Sequence, residues 1–208
     1  MIKYLLAEKD ALSNSYFVYD DESKKCLIID LGAHFSQFER KAKELGLEIV
    51  AALLTHGHFD HVIGAGEAAE RGIPIYVSKG DSHMLESAEG CLADIFAKPF
   101  NRPKSYQTIS EGFYNFGGIA VEVIETPGHT KGSVCYRIGD ILFSGDTLFK
   151  ESYGRYDLPT GNPIELFRSV KILLNYPENL IVCPGHGETS SIDHERKYNP
   201  LKSYANQR

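Results

Sequence analysis

The sequence contains few cysteines, and no two of them are paired in a Cys-x-x-Cys motif. The four cysteines are scattered along the chain, and a pattern of this kind does not indicate a disulfide framework. Cys135 and Cys183 lie within apolar, strand-like runs, where a free thiol is usually a small core side chain. We therefore expect the thiols to be reduced.

Long apolar runs and an excess of positive charge are also missing. No run approaches the length that spans a membrane, and the apolar stretch near the N-terminus is too short for a signal peptide. The formal net charge is −6, with acidic and basic residues interleaved along most of the chain, which argues against a polyanionic partner. We expect a cytoplasmic protein without a membrane or nucleic-acid partner, which disfavours a nuclease.

The size and composition indicate one compact unit. A chain of 208 residues with 42% hydrophobic residues is long enough for one well-buried core. No linker, low-complexity tract or internal repeat is recognisable. We expect a single domain over residues 1–208 that is a monomer or a small homo-oligomer.

The most informative segment is Thr-His-Gly-His-Phe-Asp-His at residues 55–61. Imidazoles and a carboxylate at this density suit a divalent metal of borderline softness, such as zinc. Side chains alternate in an extended segment, so His56 and His58 point to one side and can share an ion. Asp60 and His61 fall where a helix is expected to begin, and they are directed elsewhere. The motif therefore predicts two metals close together.

Three further candidate ligands lie downstream, each after an apolar run and beside a glycine. They are His129, Asp146 and His186. Functional groups on loops that follow buried strands are a common way to build a site on a rigid scaffold. Together with the first motif, these residues complete a ligand set for two ions.

The apolar pattern predicts an α/β chain. Strands are expected at 16–19, 25–29, 51–55, 75–77, 121–124, 134–137, 141–143 and 180–183. Helices are expected at 35–45, 61–71 and 163–175, the last with Asn162 as its cap and Pro163 in its first turn. The hairpin 134–143, turning at Gly139 and Asp140, excludes a purely parallel sheet. Segment 80–110 has weak periodicity and is expected to be a surface excursion, with a mobile flap or a partly helical insertion over the site as the alternative.

The order of these ligands resembles the metallo-β-lactamase superfamily. The pattern is His56-x-His58-x-Asp60-His61, followed by His129, Asp146 and His186. Residues 145–149, Gly-Asp-Thr-Leu-Phe, with Gly154-Arg155 after them, resemble more narrowly the glyoxalase II branch, the hydroxyacylglutathione hydrolases, and especially its short single-domain members. The resemblance implies an αββα sandwich of two mixed β-sheets flanked by helices, with the metals at one edge of the sheets.

The resemblance also implies how the ligands are shared. It assigns one metal to His56, His58 and His129, a second to Asp60, His61 and His186, and a bridging position to Asp146. Two divalent ions are implied, with zinc favoured and iron or manganese as alternatives. They activate a shared water for attack on a carbonyl. Asp60 is mainly a ligand in this interpretation, and as the candidate catalytic residue it also orients that water.

The implied substrate is a small-molecule thioester of the S-D-lactoylglutathione type. Arg155 is the candidate substrate-binding residue, because its guanidinium can bind a glutathione carboxylate as a two-pronged fork; a structural salt bridge is the alternative. Glu188 and Asp157 stand where the larger family members have tyrosines. Those members also carry a helical C-terminal domain, whereas this chain ends about one strand and one helix after His186. Thioester hydrolysis tolerates these departures better than tight recognition of glutathione does.

Several other functions remain open at this point. A persulfide dioxygenase would use a single iron, and the complete second ligand set weighs against it. A hydrolase of another ester or of a lactone would use the same metals. A β-lactamase is disfavoured because Asp146 stands where many of those enzymes have cysteine. A structural zinc module is disfavoured because such sites are usually closed and rich in cysteine. Asp30 is either a partner of a ligand histidine or a turn residue at a strand end.

Overall fold

The computed structural model describes residues 1–7, 11–177 and 179–205. In these residues the backbone forms two six-stranded sheets and a small two-stranded sheet. The strands of the first sheet are β1 (Ile2–Leu6), β2 (Tyr16–Asp20), β3 (Lys25–Ile29), β4 (Glu48–Leu53), β5 (Ile75–Ser78) and β6 (Gln107–Ile109). They lie side by side in chain order. Strands β1 to β3 are antiparallel, and β3 to β6 are parallel.

The second sheet uses most of the remaining strands. In chain order these are β7 (Gly112–Phe116), β8 (Ile119–Glu125), β9 (Val134–Ile138), β10 (Ile141–Gly145), β11 (Leu148–Phe149), β12 (Ser152–Tyr153), β13 (Ile181–Pro184) and β14 (Ser190–Ser191). Strands β11 and β12 pair with each other, and the others are arranged β14-β13-β10-β9-β8-β7. Strands β10 and β13 are parallel, whereas the other neighbours are antiparallel, so this sheet is also mixed.

Helices cover the outer faces of the sheets. They are α1 (Phe35–Leu45), α2 (Phe59–Val62), α3 (Ala65–Glu70), α4 (Pro163–Leu174), α5 (Ile192–Tyr198) and α6 (Lys202–Ala205), with a short 3-10 helix at Ser82–Glu86. Among the described residues, no helix has the length and the run of apolar side chains that crossing a membrane requires.

Side chains of neighbouring strand residues alternate between separate hydrophobic clusters. In β2, Phe17 belongs to the cluster that contains Phe35 and Phe38 of α1, on the outer face of the first sheet. The next residue, Val18, belongs to the cluster between the two sheets, together with Tyr136 of β9. A third cluster lies between the second sheet and helices α4 and α5. Because each strand has side chains on both faces, these clusters form the layers of an αββα sandwich, which confirms the predicted fold class.

The predicted single helix at 61–71 is wrong. The structure has α2 and α3 instead, separated at Ile63 and Gly64. The backbone between them is bonded to the loop after β3: Leu31 N donates to the His61 carbonyl, and Gly64 N donates to the Leu31 carbonyl. These bonds take the place of part of the helical ladder, so the helix is interrupted where it touches this loop.

Segment 80–110 is not simply a surface excursion. Met84, Leu85, Cys91 and Ala93 are buried and belong to the outer cluster of the first sheet. The segment also supplies the 3-10 helix and most of the path to β6. The four cysteines are free and buried; the sequence predicted free thiols, and core positions for Cys135 and Cys183.

The cap of α4 gives a test of this part of the fold. Asn162 Oδ1 accepts hydrogen bonds from Ile164 N at 2.9 Å and from Glu165 N at 3.2 Å. We expect Asn162→Ala to lower the free energy of unfolding by about 1 kcal/mol, because two N–H groups lose their acceptor. Urea titration of the purified protein measures this. Asn162→Asp, which keeps the acceptor, should retain most of the stability; equal stability of the two variants would contradict the capping role.

Candidate metal centre

Five of the seven predicted ligands lie on loops that follow strands. His56 and His58 follow β4, His129 follows β8, Asp146 follows β10 and His186 follows β13. Strand β4 ends at Leu53, so the first two histidines lie on a loop and not on the strand itself. Asp60 and His61 lie in α2, which begins at Phe59. The sheets therefore bring residues that are far apart in sequence to one edge of the sandwich.

Three histidines form a first group, which we call the three-histidine group. His58 Nδ1 lies 2.9 Å from His129 Nε2, and His129 Nε2 lies 3.2 Å from His56 Nε2. All three side chains are buried. Burial, together with the nearby His129, lowers the pKa of His58 to about 3. Burial and His61 lower the pKa of His56 well below its usual value. His56 and His58 are therefore neutral imidazoles at neutral pH, with lone pairs available for a cation.

Asp60, His61 and His186 form a second group, which we call the mixed group. His186 Nε2 lies 3.2 Å from Asp60 Oδ2, and His61 Nε2 lies 3.7 Å from the same oxygen. Their ligand atoms lie within 4.8 Å of one another. This group differs from the first because it contains a carboxylate and because His186 is partly exposed.

Asp146 lies between the two groups. Its Oδ2 is 3.5 Å from His129 Nε2 and 3.5 Å from His186 Nε2, and its Oδ1 is 3.4 Å from His61 Nε2. One carboxylate thus approaches a nitrogen of the three-histidine group and two nitrogens of the mixed group. This is the position that a bridging ligand requires.

The charges of the mixed group are coupled. Burial opposes ionisation of Asp60, but the neighbouring His61 and His186 outweigh it and lower the pKa of the Asp60 carboxyl. Burial likewise opposes protonation of His61, but Asp146, Asp30 and Asp60 outweigh it and raise the pKa of His61. The hydrogen bond to Asp60 raises the pKa of His186. The Asp60 carboxylate is therefore ionised at neutral pH.

Unpaired polar atoms show that these residues fit metal ions. His61 Nε2, Asp146 Oδ1 and His58 Nε2 are buried and have no hydrogen-bond partner among the described residues. Burial of such atoms without a partner is costly. A methyl group at Gly185 would lie 2.2 Å from Asp146 Oδ1 and 2.7 Å from the His61 ring, so the loop must be free of a side chain there. The nitrogen and oxygen donors suit divalent cations.

Acceptors outside the cluster fix the orientation of two histidine rings. His61 Nδ1 lies 2.8 Å from Asp30 Oδ2, and His129 Nδ1 lies 2.7 Å from the Arg155 carbonyl oxygen. The carbonyl oxygen and the Asp30 carboxylate oxygen accept these hydrogen bonds, so each Nδ1 carries a proton and each Nε2 faces the cluster. Of the two roles considered for Asp30, the structure supports the partner of a ligand histidine.

A cavity of about 340 Å³ opens over the cluster. Besides the polar residues, its wall is apolar and consists of Phe59, Leu92, Phe96, Phe149 and Leu158. The rings of Phe59 and Phe96 are stacked, with centroids 4.9 Å apart. The sequence prediction missed this wall. Phe59 lies inside the ligand motif, and the alternative for 80–110 placed that segment over the site, but neither Leu92 nor Phe96 was singled out.

Arg155 lines the cavity but is already bound by an acid. Its Nε and Nη2 donate to the two carboxylate oxygens of Asp157 at 2.7 and 2.9 Å. Both side chains are more than half exposed. The structural salt bridge, the alternative considered for Arg155, is thus present. Glu188, the second departure from the larger relatives, forms an ion pair with Lys150.

Comparison with protein families and curated proteins gives consistent matches. The model of the Metallo-beta-lactamase superfamily matches residues 9–186. The chain is 36% identical over 197 residues to "Probable metallo-hydrolase YqgX" of Bacillus subtilis (strain 168). This match covers 91% of this chain and 92% of that protein. The chain is also 31% identical over 200 residues to "Hydroxyacylglutathione hydrolase GloC" of Haemophilus influenzae. That match covers 90% of this chain and 92% of that protein.

Solved structures agree with these matches. The crystal structure of BLEG-1 B3 metallo-beta-lactamase has a TM-score of 0.88 at 31% identity and covers 100% of both chains. The crystal structure of TTHA1623 in a di-iron-bound form has a TM-score of 0.82 at 35% identity and covers 91% of this chain and 94% of that one. The family match over most of the chain, the shared fold and the clustered His and Asp side chains lead to one conclusion: this chain belongs to the metallo-beta-lactamase superfamily.

Proposed function

We propose that this protein is a binuclear metal-dependent hydrolase that cleaves a thioester, with a hydroxyacylglutathione as the leading substrate. The observation that carries the proposal is the position of Asp146 between two separate groups of ligand atoms. The 31% identity to a protein named hydroxyacylglutathione hydrolase, over nearly the full length of both chains, supports the choice of substrate.

The ligand roles follow from the two groups. His56, His58 and His129 would hold one ion, Asp60, His61 and His186 would hold the other, and Asp146 would contact both. When bound, a pair of divalent cations lowers the pKa of a bound water and polarises the carbonyl that is attacked. Zinc suits these nitrogen and oxygen donors. Iron is a second candidate, because a relative of 35% identity has been crystallised in a di-iron-bound form, and manganese is a third.

The protein's own groups prepare this chemistry in three ways. The Asp30 carboxylate and the Arg155 carbonyl hold two ligand rings in the tautomer that directs Nε2 inward. Asp60 is ionised and lies at the cavity wall, where its carboxylate can orient the attacking water. The apolar wall excludes water from around the acyl group and strengthens electrostatic contacts there.

A thioester suits this site because departure of its leaving group needs little help. A thiol has a pKa near about 8.5, so the thiolate leaves without protonation by a strong acid. The residues lining the cavity include no lysine or tyrosine among those described. An ester or lactone leaving group is more basic and would gain more from a general acid.

One other hydrolase function is favoured by a specific observation. A protein named B3 metallo-beta-lactamase covers the whole chain at 31% identity, so hydrolysis of a β-lactam amide is the second candidate. The ionised Asp60 fits either substrate, whereas Asp146, which stands where many β-lactamases have cysteine, favours the thioester. A chromogenic cephalosporin, assayed beside the thioester on the same metal-loaded protein, separates the two functions.

The first experiment measures thioester hydrolysis directly. We expect the protein loaded with zinc, iron or manganese to hydrolyse S-D-lactoylglutathione, because at least one of these ions should fill both groups. Loss of absorbance of the thioester gives the rate, and His58→Ala protein serves as the blank. The absence of thioester turnover in protein that carries two metals per chain would remove hydroxyacylglutathione as the substrate.

The ligand assignment predicts different metal contents for different variants. We expect His58→Ala to lose the ion of the three-histidine group and all hydrolysis. We expect Asp146→Ala to weaken both ions, because its carboxylate lies near both groups. Elemental analysis after dialysis against a weak chelator measures the metal per chain. Normal turnover or full metal content in either variant would show that the assigned ligands are wrong.

The Arg155–Asp157 ion pair predicts an effect on recognition of the thiol. Arg155 lowers the pKa of Asp157 to about 2, so Asp157 is charged at neutral pH and competes with a substrate carboxylate. We expect Asp157→Asn to lower KM for a glutathione thioester about two- to fivefold, in line with an exposed ion pair, and to leave kcat unchanged.

A matched control for this change is Glu165→Gln. Glu165 is also an acid paired with an arginine, Arg168, on α4, but it does not line the cavity. This variant alters the net charge equally and should leave KM unchanged. If KM rises in Asp157→Asn, or falls as much in Glu165→Gln, Arg155 does not bind the thiol carboxylate.

A further inference from the structure

Asp81 is a buried carboxylate outside the ligand set. It directly precedes the 3-10 helix and has no exposed surface. Among the described residues no lysine, arginine or histidine forms an ion pair with it. Burial raises the pKa of its carboxyl, against the opposing effect of its hydrogen bonds. An acid held in such a position is costly to the fold unless its contacts compensate.

The contacts of Asp81 connect two loops that carry ligands. Its Oδ2 accepts a hydrogen bond from Gly57 N at 3.1 Å and another from Thr130 Oγ1 at 2.6 Å. Its Oδ1 accepts a hydrogen bond from Gly132 N at 2.8 Å. Gly57 lies between His56 and His58, and Thr130 directly follows His129. One side chain thus bonds next to all three members of the three-histidine group.

The direction of this side chain is unusual for its place in the chain. An aspartate at the first position before a helix commonly caps it by accepting from the next N–H groups. Asp81 occupies that position, but its side chain forms no cap hydrogen bond. The carboxylate is instead directed to the two ligand loops. Capping of the helix therefore does not explain Asp81.

The loop around His56 and His58 is also closely packed against the 3-10 helix. A methyl group at Gly57 would lie 2.6 Å from Met84 Cβ and 3.1 Å from the Asp81 carbonyl oxygen. Met84 is buried, and its N–H donates to that same carbonyl. The backbone at Gly57, between His56 and His58, is therefore held both by packing against Met84 and by the hydrogen bond to the Asp81 side chain.

We propose that Asp81 is a positioning residue that sets the separation of His56 and His58 from His129, and thereby the metal affinity of the three-histidine group. The inference rests on the metal ligands assigned under the proposed function, but not on the identity of the substrate. Asp81 acts through backbone and hydroxyl donors and does not contact a metal itself. Outer-shell carboxylates of this kind commonly affect metal affinity by about 10- to 100-fold.

Asparagine at position 81 tests this with little change in shape. Three donors converge on the two carboxylate oxygens, so an amide must direct its NH₂ group towards at least one of them. We expect Asp81→Asn to weaken metal binding by the three-histidine group about 10- to 100-fold. The measurement is calorimetric titration of metal-stripped full-length protein with Zn²⁺, carried out in a His186→Ala background that disables the mixed group.

The opposite background shows which group is affected. In His58→Ala protein, which lacks a complete three-histidine group, Asp81→Asn should leave the affinity of the remaining ion unchanged. A general loosening of the fold would weaken both ions. If Asp81→Asn lowers the affinity equally in both backgrounds, or in neither, the positioning role is overturned.

Glu195→Gln is the matched control for neutralising a buried acid. Glu195 also has no exposed surface, and its carboxylate accepts from Glu151 N, Ser190 Oγ and Asn199 Nδ2. It bonds to none of the ligand loops. Its substitution should lower stability while leaving Zn²⁺ affinity in the His186→Ala background unchanged. A loss of affinity equal to that of Asp81→Asn would overturn the inference.

Thr130 provides a second variant that does not alter a buried charge. Thr130→Val removes the hydroxyl that donates to Asp81 and nearly preserves the shape, whereas Thr130→Ser keeps the hydroxyl. We expect weaker Zn²⁺ binding in the valine variant and near-normal binding in the serine variant. Equal affinity of the two variants would overturn the role of this contact. If the His186→Ala protein itself binds no Zn²⁺, the ligand assignment fails and the inference fails with it.

Discussion

The hydrogen bonds that Asp30 accepts join the scaffold to both halves of the ligand motif. Its carboxylate accepts from Thr55 N at 2.7 Å, from Thr55 Oγ1 at 2.8 Å and from His61 Nδ1 at 2.8 Å. Thr55 Oγ1 in turn lies 3.1 Å from His56 Nδ1. Asp30 directly follows β3, the neighbour of β4 in the first sheet. The orientations of one histidine from each group therefore depend on a single buried carboxylate at a strand end.

The site also depends on the way in which the two sheets meet. The motif at 55–61 comes from the first sheet, whereas Asp146 and His186 come from the parallel pair β10 and β13 of the second sheet. Gly185 N donates to the Gly145 carbonyl. The loops that carry Asp146 and His186 are therefore hydrogen-bonded to each other within the second sheet. Tyr136 Oη, which lies between the sheets, donates to the Leu54 carbonyl just before the motif. The cluster is thus a product of sandwich packing and not of one local motif.

Much of the site was predictable because its ligands form a recognisable sequence pattern. His56, His58, Asp60 and His61 are too dense for an ordinary loop, and the other ligands each follow an apolar run that forms a strand. The Asn162 cap and the hairpin of β9 and β10 were predicted for the same reason: local chemistry determines them. Strands β1, β6, β7 and β14 were missed, because they lie at sheet edges and their apolar patterns are short or weak without their partner strands. The two-residue strands β11 and β12 were also missed.

Other features could not be predicted because they arise from contacts between distant segments. The single helix at 61–71 was wrong because bonds to the loop after β3 override its helical pattern. Leu92 and Phe96 reach the cavity only through the folded path of segment 80–110. The partnership of Arg155 with Asp157 is local, but nothing in the sequence distinguishes it from a free arginine. Asp81 has the sequence context of a helix cap, and only the structure shows its carboxylate turned to the ligand loops.

The chemistry of the two groups argues that the two ions, if bound as proposed, are not equivalent. The three-histidine group offers only nitrogens, on buried side chains, whereas the mixed group offers Asp60 and the partly exposed His186. Softer, nitrogen-preferring cations suit the first group, and harder cations tolerate the second better because it supplies more oxygen. Asp146 contributes negative charge to both and keeps them coupled. The two positions should therefore differ in which cation they prefer, and members of both groups line the cavity from which substrate would approach.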